Sequence, residues 1–377
     1  MKRTVSILIA IFIICTLCLP FTAMAGGNYS ALSGSGTESD PYRIANNADW
    51  DAFTSAVKAD PDHGKGCYFK LTGDIGSAGN EVSTKVNEFC GVFDGNGKTI
   101  WHSGTQLLFY KNSGEIKNVV TNGSVREEER RGGGGAICYA NSGVIDRCVN
   151  YAPLEGGMYV GGICGRNSGL IVNCINYAPI TQTMGNTGGI CGSNPEGLIL
   201  NCINTAPVSG CGICGYIHNR KDINIAICFN CGKPSAGYGI TMFAGRGEHP
   251  KMLYDCSFLT PIDDIDYEAS NNEDTNEFIM SFGGPVCFIE DGVENMNWAI
   301  ENYNNQTGRT LYKWKLGTNG LPTYAETFPT ATVLSEGNIW IIAIVAVVVI
   351  AGIAALVIVK KKTKPALASG TDNTDEE

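Results

Sequence analysis

Between residues 134 and 230, apolar runs of three or four residues alternate with polar turns rich in Gly and Asn, and the alternation recurs. Leu170-Ile171-Val172 and Leu198-Ile199-Leu200 stand between the turn clusters Asn141-Ser142-Gly143, Asn167-Ser168-Gly169 and Ser193-Asn194-Pro195. The runs are too short for helices, and Ala152-Pro153, Ala178-Pro179 and Ala206-Pro207 stop helix propagation in each copy. The pattern predicts three short strands and their turns per unit, the content of one coil of a parallel β-helix, in which successive coils pair at roughly 4.8 Å. One such unit cannot bury its apolar side alone, so the units must stack.

Stacking turns recurrent residues into columns. Cys138, Cys164, Cys191 and Cys214 fall at one place in the unit and Cys148, Cys174, Cys202 and Cys228 at another, a period of 23 to 28 residues. Leu108 to Ile116 matches Ile137 to Ile145 position for position, with Phe109 and Val119 in the cysteine places, so these are apolar core positions first. Asn150, Asn176, Asn204 and Asn230 are expected to form a further column, because stacked Asn side chains hydrogen-bond along it and Asn tolerates the left-handed backbone of a sharp corner. A degenerate last coil runs from Gly239 to Cys256.

Outside the repeats the pattern changes. Asn47 is placed to cap a short helix with Trp50, Phe53 and Val57 on one face. A second amphipathic stretch carries Val293, Met296, Ile300 and Tyr303, followed by a strand with Tyr312, Trp314 and Leu316 on one side and a turn at Gly317-Thr318-Asn319-Gly320, a piece suited to capping a solenoid. Lys2 and Arg3, the apolar run Val5 to Leu19, and Ala23-Met24-Ala25 form a secretory signal. Neither Cys15 nor Cys18 follows a small residue as a lipoprotein site requires. Ile339 to Val359 is uncharged and long enough as a helix to cross a bilayer, and Lys360, Lys361, Lys362 and Lys364 follow it, which puts the tail on the cytoplasmic side. The expected division is signal peptide 1–25, N-terminal cap 26–90, repeats 91–260, C-terminal capping and juxtamembrane region 261–337, transmembrane helix 338–359 and cytoplasmic tail 360–377.

The repeat resembles the GLUG-motif proteins of bacterial cell surfaces, whose unit reads Gly-Gly-Leu-Val-Gly, a turn with Asn-x-Gly, then Ile-x-Asn-Cys. Gly161-Gly162-Ile163-Cys164-Gly165, Asn167-Ser168-Gly169 and Ile171-Val172-Asn173-Cys174 carry the likeness, as do Gly188-Gly189-Ile190-Cys191-Gly192 and Asn201-Cys202. Cys stands where the family usually has an aliphatic residue, and the copy at 211–231 is stretched. The resemblance implies an all-β protein built on a right-handed parallel β-helix, outside the cell. It implies no single activity, since such repeats occur on adhesins and on some metalloproteases.

Candidate chemistry is sparse. A formal net charge of -10 and a pI near 5.0 give no electrostatic footprint for nucleic acid. Of the 16 cysteines, Cys15 and Cys18 leave with the signal, and an even remainder outside the cell suggests disulfides. Column geometry argues otherwise: in-register neighbours point the same way, while a disulfide needs its Cβ atoms angled together, so packed free thiols are expected in the repeats and Cys67–Cys90 is the candidate bridge. Cys211, Cys214, Cys228 and Cys231 have nearly the spacing of a zinc ribbon, but Cys214 and Cys228 already belong to the columns, which favours packing over structural zinc. Residues 263–277 cluster carboxylates that suit a solvated loop or weak calcium binding. There is no His-Glu-x-x-His; Gly95-Asn96-Gly97-Lys98-Thr99 ends like a phosphate loop but reads better as a tight turn; and His63, His102, His218 and His249 are scattered.

Three functions fit. The leading one is a membrane-anchored surface protein whose β-helix serves adhesion or ligand binding, with an extracellular glycan or host-surface protein as partner and no cofactor required. The alternatives are a polysaccharide-acting lyase or hydrolase, for which the repeats offer few charges beyond Arg147 and Arg166, and a structural spacer with no second module to carry.

Overall fold

The computed structural model describes residues 27–104, 107–127, 133–181, 185–217, 225–232, 241–243, 253–254, 257–258, 289–307 and 310–326, all within the compact unit Met1–Phe328. The expected signal peptide, transmembrane segment, cytoplasmic tail and acidic loop 263–277, with His218 and His249, lie outside the described residues. No helix among the described residues is long and apolar enough to cross a membrane.

The chain winds into a parallel β-solenoid of about seven turns with three walls. Wall 1 has nine strands, among them Val92–Asp94, Glu115–Lys117, Val144–Asp146, Leu170–Val172 and Leu198–Leu200. Wall 2 has seven, including Phe109–Asn112, Cys138–Asn141, Cys164–Asn167, Cys191–Asn194 and Cys214–Ile217. Wall 3 contains Val149–Asn150, Ile175–Asn176, Ile203–Asn204 and Phe229–Asn230. Between walls 3 and 2 three successive turns make an outward excursion, whose strands Gly134–Gly135, Tyr159–Gly161 and Asn186–Gly188 form a separate ribbon.

Each wall sends one column inward. Phe93, Ile116, Ile145, Ile171, Ile199 and Ile225 come from wall 1; Phe109, Cys138, Cys164, Cys191 and Cys214 from wall 2; Val119, Cys148, Cys174, Cys202 and Cys228 from the entry to wall 3; all are fully buried in one core. The cysteine register is continuous along wall 2. Every described cysteine is a free thiol, and burial raises those of Cys148, Cys164, Cys174, Cys191 and Cys202 well above the ordinary value of 9.0. The proposed Cys67–Cys90 bridge does not form: Cys67 faces the aromatic core, whereas Cys90 is half-buried. We therefore expect most of the cysteines to react with an alkylating reagent after denaturation without reduction. A protein that stays blocked until reductant is added contradicts the column packing.

Asparagine fills the corners. Asn150, Asn176, Asn204 and Asn230 form the expected ladder, each Nδ2 donating to the next Oδ1 at 2.7 to 2.8 Å and also to the carbonyl two residues on in its own turn. A parallel ladder, Asn112, Asn141, Asn167 and Asn194, runs along the corner leaving wall 2 at 2.8 to 2.9 Å. The Gly-Gly pair of the motif answers these ladders: a Cβ on Gly162 would lie 2.5 Å from Asn176 Cγ, and one on Gly161 2.2 Å from Cys164 O.

Helix α1 (Asn47–Ala59) closes the first turns, setting Trp50 and Phe53 against Phe69, Phe89, Phe93 and Phe109. Its cap is Asn46 and not Asn47: residue 46 is extended (φ -158) with Oδ1 taking Asp49 N, while Asn47 begins the helix and accepts from Gly76 N at 2.6 Å. At the other end, α2 (Ile289–Thr307) and the hairpin Trp314–Leu316 with Pro322–Tyr324 do more than cap. They form a strap along the outer flank, sealing Val149, Val172, Ile175, Leu200, Ile203 and Phe229 beneath Met296, Ile300, Trp314 and Tyr324.

Candidate functional site

The four cysteines with zinc-ribbon spacing are not assembled as ligands. Cys214 and Cys228 sit in different columns, and each thiol donates to a backbone carbonyl: Cys211 to Gly215, Cys214 to Tyr216, Cys228 to Ala226 and Cys231 to Asn204. Among the described residues no group of His, Cys, Asp and Glu is brought together as metal ligands. The segment Gly95 to Thr99 is the expected tight turn, with Asn96 and Gly97 at positive φ and Lys98 N bonded to Gly95 O at 2.8 Å. His102 is buried, and His63 Nε2 lies 3.2 Å from Glu88.

Charges on the outside of wall 1 fall into one column of alternating sign, Lys70, Asp94, Lys117 and Asp146, which then turns apolar at Val172 and Leu200 under the strap. Burial pulls Lys117 down, but its hydrogen bond and charge pairing with Glu115 at 2.9 Å, with Asp94 and Asp146, outweigh that and hold it above the ordinary lysine value. Asp94 accepts from Asn118 Nδ2 and Asp146 from Asn173 Nδ2, so both carboxylates brace the corner. Burial raises Asp146 above the ordinary 3.8 despite Asn173 and Arg147. The folded state thus prefers the neutral acid; that stabilisation is complete below 3.8 and lost as pH rises through the raised value. Asp146→Asn is expected to raise the melting temperature at pH 7 and leave it unchanged at pH 3; a fall at pH 7 would show that the charged form is the favoured one.

That corner holds its residues in the left-handed region: Asn118, Arg147, Asn173, Asn201 and Ile227 have φ of 50 to 55. Arg147 and Ile227 are the unexpected members, since Asn tolerates this conformation while it costs other residues about 1–2 kcal/mol. The Arg147 guanidinium is buried 3.9 Å beneath the Tyr312 ring and 5.4 Å from that of Tyr324. The strap is further held by Trp314 Nε1 to Asn201 Oδ1 at 2.7 Å and Tyr324 Oη to Asn173 O at 2.6 Å. Arg147 is therefore part of a latch and not of an open groove.

On the outer face of wall 2, Tyr110, Lys111 and Arg166 are exposed, whereas Ser193 in the same register is buried. Tyr110 and Tyr139 stack on adjacent strands with centroids 5.1 Å apart, Lys85 Nζ lies 5.6 Å from the Tyr110 ring, and the exposed Arg166 lies 5.2 Å from that of Tyr159. Lys111 pairs with Glu88 at 2.7 Å, both exposed. The position after each wall 2 cysteine is glycine in later turns because the excursion ribbon lies on it: a Cβ at Gly192 would stand 2.5 Å from the backbone of Tyr159 and Val160. Sequence reasoning singled out Arg166 here but not its neighbours; the matching places of Tyr110 and Tyr139 in aligned repeats were the available signal.

No family model matches the chain, and no curated protein matches it. Among solved structures it is similar to the crystal structure of a putative immunoglobulin A1 protease from Bacteroides ovatus, with a TM-score of 0.56 and 23% identity, covering 78% of this chain and 94% of that one. At that identity the likeness is one of fold: the chain shares the architecture of that protein over most of both lengths.

Proposed function

We propose that this solenoid is a binding module presented at a bacterial cell surface, serving adhesion or ligand capture through its outer face. The observation that carries the reading is the stacked pair Tyr110 and half-buried Tyr139 on wall 2 with the exposed Lys111 and Arg166 in register beside them, next to a repeat wall whose carboxylates are engaged in bracing corners. The likeness of the repeat to GLUG units, the signal-like 1–25 and the apolar 338–359 segment followed by lysines support a right-handed helix anchored by a single membrane span with its solenoid outside. Aromatic side chains near cations suit recognition, since they offer large rigid contact area at low entropic cost.

One observation favours the enzymatic alternative. Asp146, with its raised affinity for a proton, shares a column with Lys117 and Asp94, a grouping found at acid–base sites. Against it, Asp146 is tied to Asn173 and its neighbour Arg147 lies under the strap. The purified full chain is expected to block attachment of the cells that carry it to their ligand surface while turning over no glycan or protein. Depolymerisation of a polysaccharide, lost in Asp146→Asn, would replace the binding reading with the enzymatic one.

A further inference from the structure

We propose that the outer face of wall 2 between Lys111 and Arg166 is a seat for an acidic glycan, a sugar chain bearing carboxylate or sulfate groups; this rests on the binding reading above. Glu88, Lys111, Ala140, Arg166 and Ser193 follow one another in continuous register across adjacent strands. Strands in a sheet lie roughly 4.8 Å apart, which separates the Lys111 and Arg166 backbones by about 10 Å. Between them stands Ala140, half-buried, so a single methyl separates the two cations along this register.

The surroundings of Ala140 suit an anionic sugar. Tyr110 and Tyr139, which precede Lys111 and Ala140, form a stacked rim, and Tyr110 is 39% exposed. The Tyr159 ring orients the Arg166 guanidinium, which offers paired N–H donors of the geometry a carboxylate or sulfate accepts. Lys85 over Tyr110 supplies a third cation. The chain as a whole carries a net charge of -10, so an acidic polymer is repelled by the rest of the molecule and drawn to this flank, which fixes orientation as well as place. Glu88 opposes the ligand, since its carboxylate already holds Lys111 at 2.7 Å. A few cations among phenol rings fit a polyhydroxylated chain with spaced charges better than the dense charge of a nucleic acid.

Calorimetric titration of the purified full chain with an oligogalacturonate, a heparin-derived oligosaccharide and a neutral malto-oligosaccharide tests this. At least one acidic probe is expected to bind, more weakly as salt rises, and the neutral one not. Binding of the oligogalacturonate shows that carboxylates suffice; binding of the heparin oligosaccharide alone, which carries carboxylates and sulfates, shows that sulfate is required. Lys111→Gln and Arg166→Gln should each weaken binding about tenfold, the effect of losing one charge-assisted hydrogen bond, and Glu88→Gln should strengthen it severalfold. All three should leave the melting temperature unchanged, because these side chains are exposed. Equal binding of the neutral probe, or indifference to Lys111 and Arg166, overturns the seat while leaving a binding function intact. So does a chain that blocks cell attachment yet retains none of the three glycans. Equal competition by poly-glutamate would assign the seat to an acidic protein and overturn the glycan.

Discussion

Asn176→Leu should destabilise the solenoid by about 4 kcal/mol, read as a fall in the urea midpoint. Asn176 is fully buried, and its Nδ2 donates to Asn204 Oδ1 at 2.8 Å and to Ala178 O at 2.9 Å, while its Oδ1 accepts from Asn150 Nδ2 at 2.8 Å. Its Oδ1 also accepts from Ala178 N at 3.3 Å. Leucine removes all four bonds and leaves donors and acceptors on three successive turns short of partners where water cannot replace them. Each orphaned buried group costs about 1–3 kcal/mol, outweighing the added apolar contact. The branched side chain also meets Gly162, where a Cβ would already come within 2.5 Å of Asn176 Cγ. Asn176→Asp is the sharper control: it keeps the acceptor and shape but loses the donor and buries a charge, so it should destabilise too, less so in acid where it is protonated. An unchanged midpoint for either would mean that the ladders do not hold the corners.

Trp314→Ala should release the strap without unwinding the coils. Truncating a buried tryptophan costs about 3–5 kcal/mol, and here it also removes the bond to Asn201 and the stack on Tyr324 at 4.9 Å. The loss falls on a hairpin paired to itself and docked on wall exteriors, so it is expected as local undocking. In hydrogen exchange the amide of Ala325, bonded to Lys313 O, should lose its protection, while that of Ile175, bonded to Cys148 O inside the solenoid, keeps it. Loss of protection at both would make the strap an inseparable part of the core.

The columns were legible because a parallel solenoid repeats identity along its axis: the places of Cys138, Cys164, Cys191 and Cys214 in the unit are their places in space. The same regularity made the zinc-ribbon spacing misleading, since Cys214 and Cys228 look near in the chain but are sent to different columns by the corner between them. The strap's mode of docking was hidden because its contacts join residues far apart in sequence, such as Tyr324 to Asn173 and Trp314 to Asn201. Its amphipathic face, Val293, Met296 and Ile300, was visible; what that face covers was not. Arg147 is visible in the sequence only as one of the few charges of the repeats; its left-handed backbone and the Tyr312 ring above it make it a latch. The wall 2 site depends on side-by-side register of residues 23 to 29 apart, which the alignment of imperfect repeats indicates only in outline.

The most direct measurement is a crystal structure of the full chain with an acidic oligosaccharide bound. An intact chain of sugars is expected across the outer face of wall 2, its acidic groups against Lys111 and Arg166 and its rings beside Tyr110 and Tyr139. A sugar chain lodged instead at Asp94, Lys117 and Asp146, cleaved at the bond nearest Asp146, would contradict that expectation.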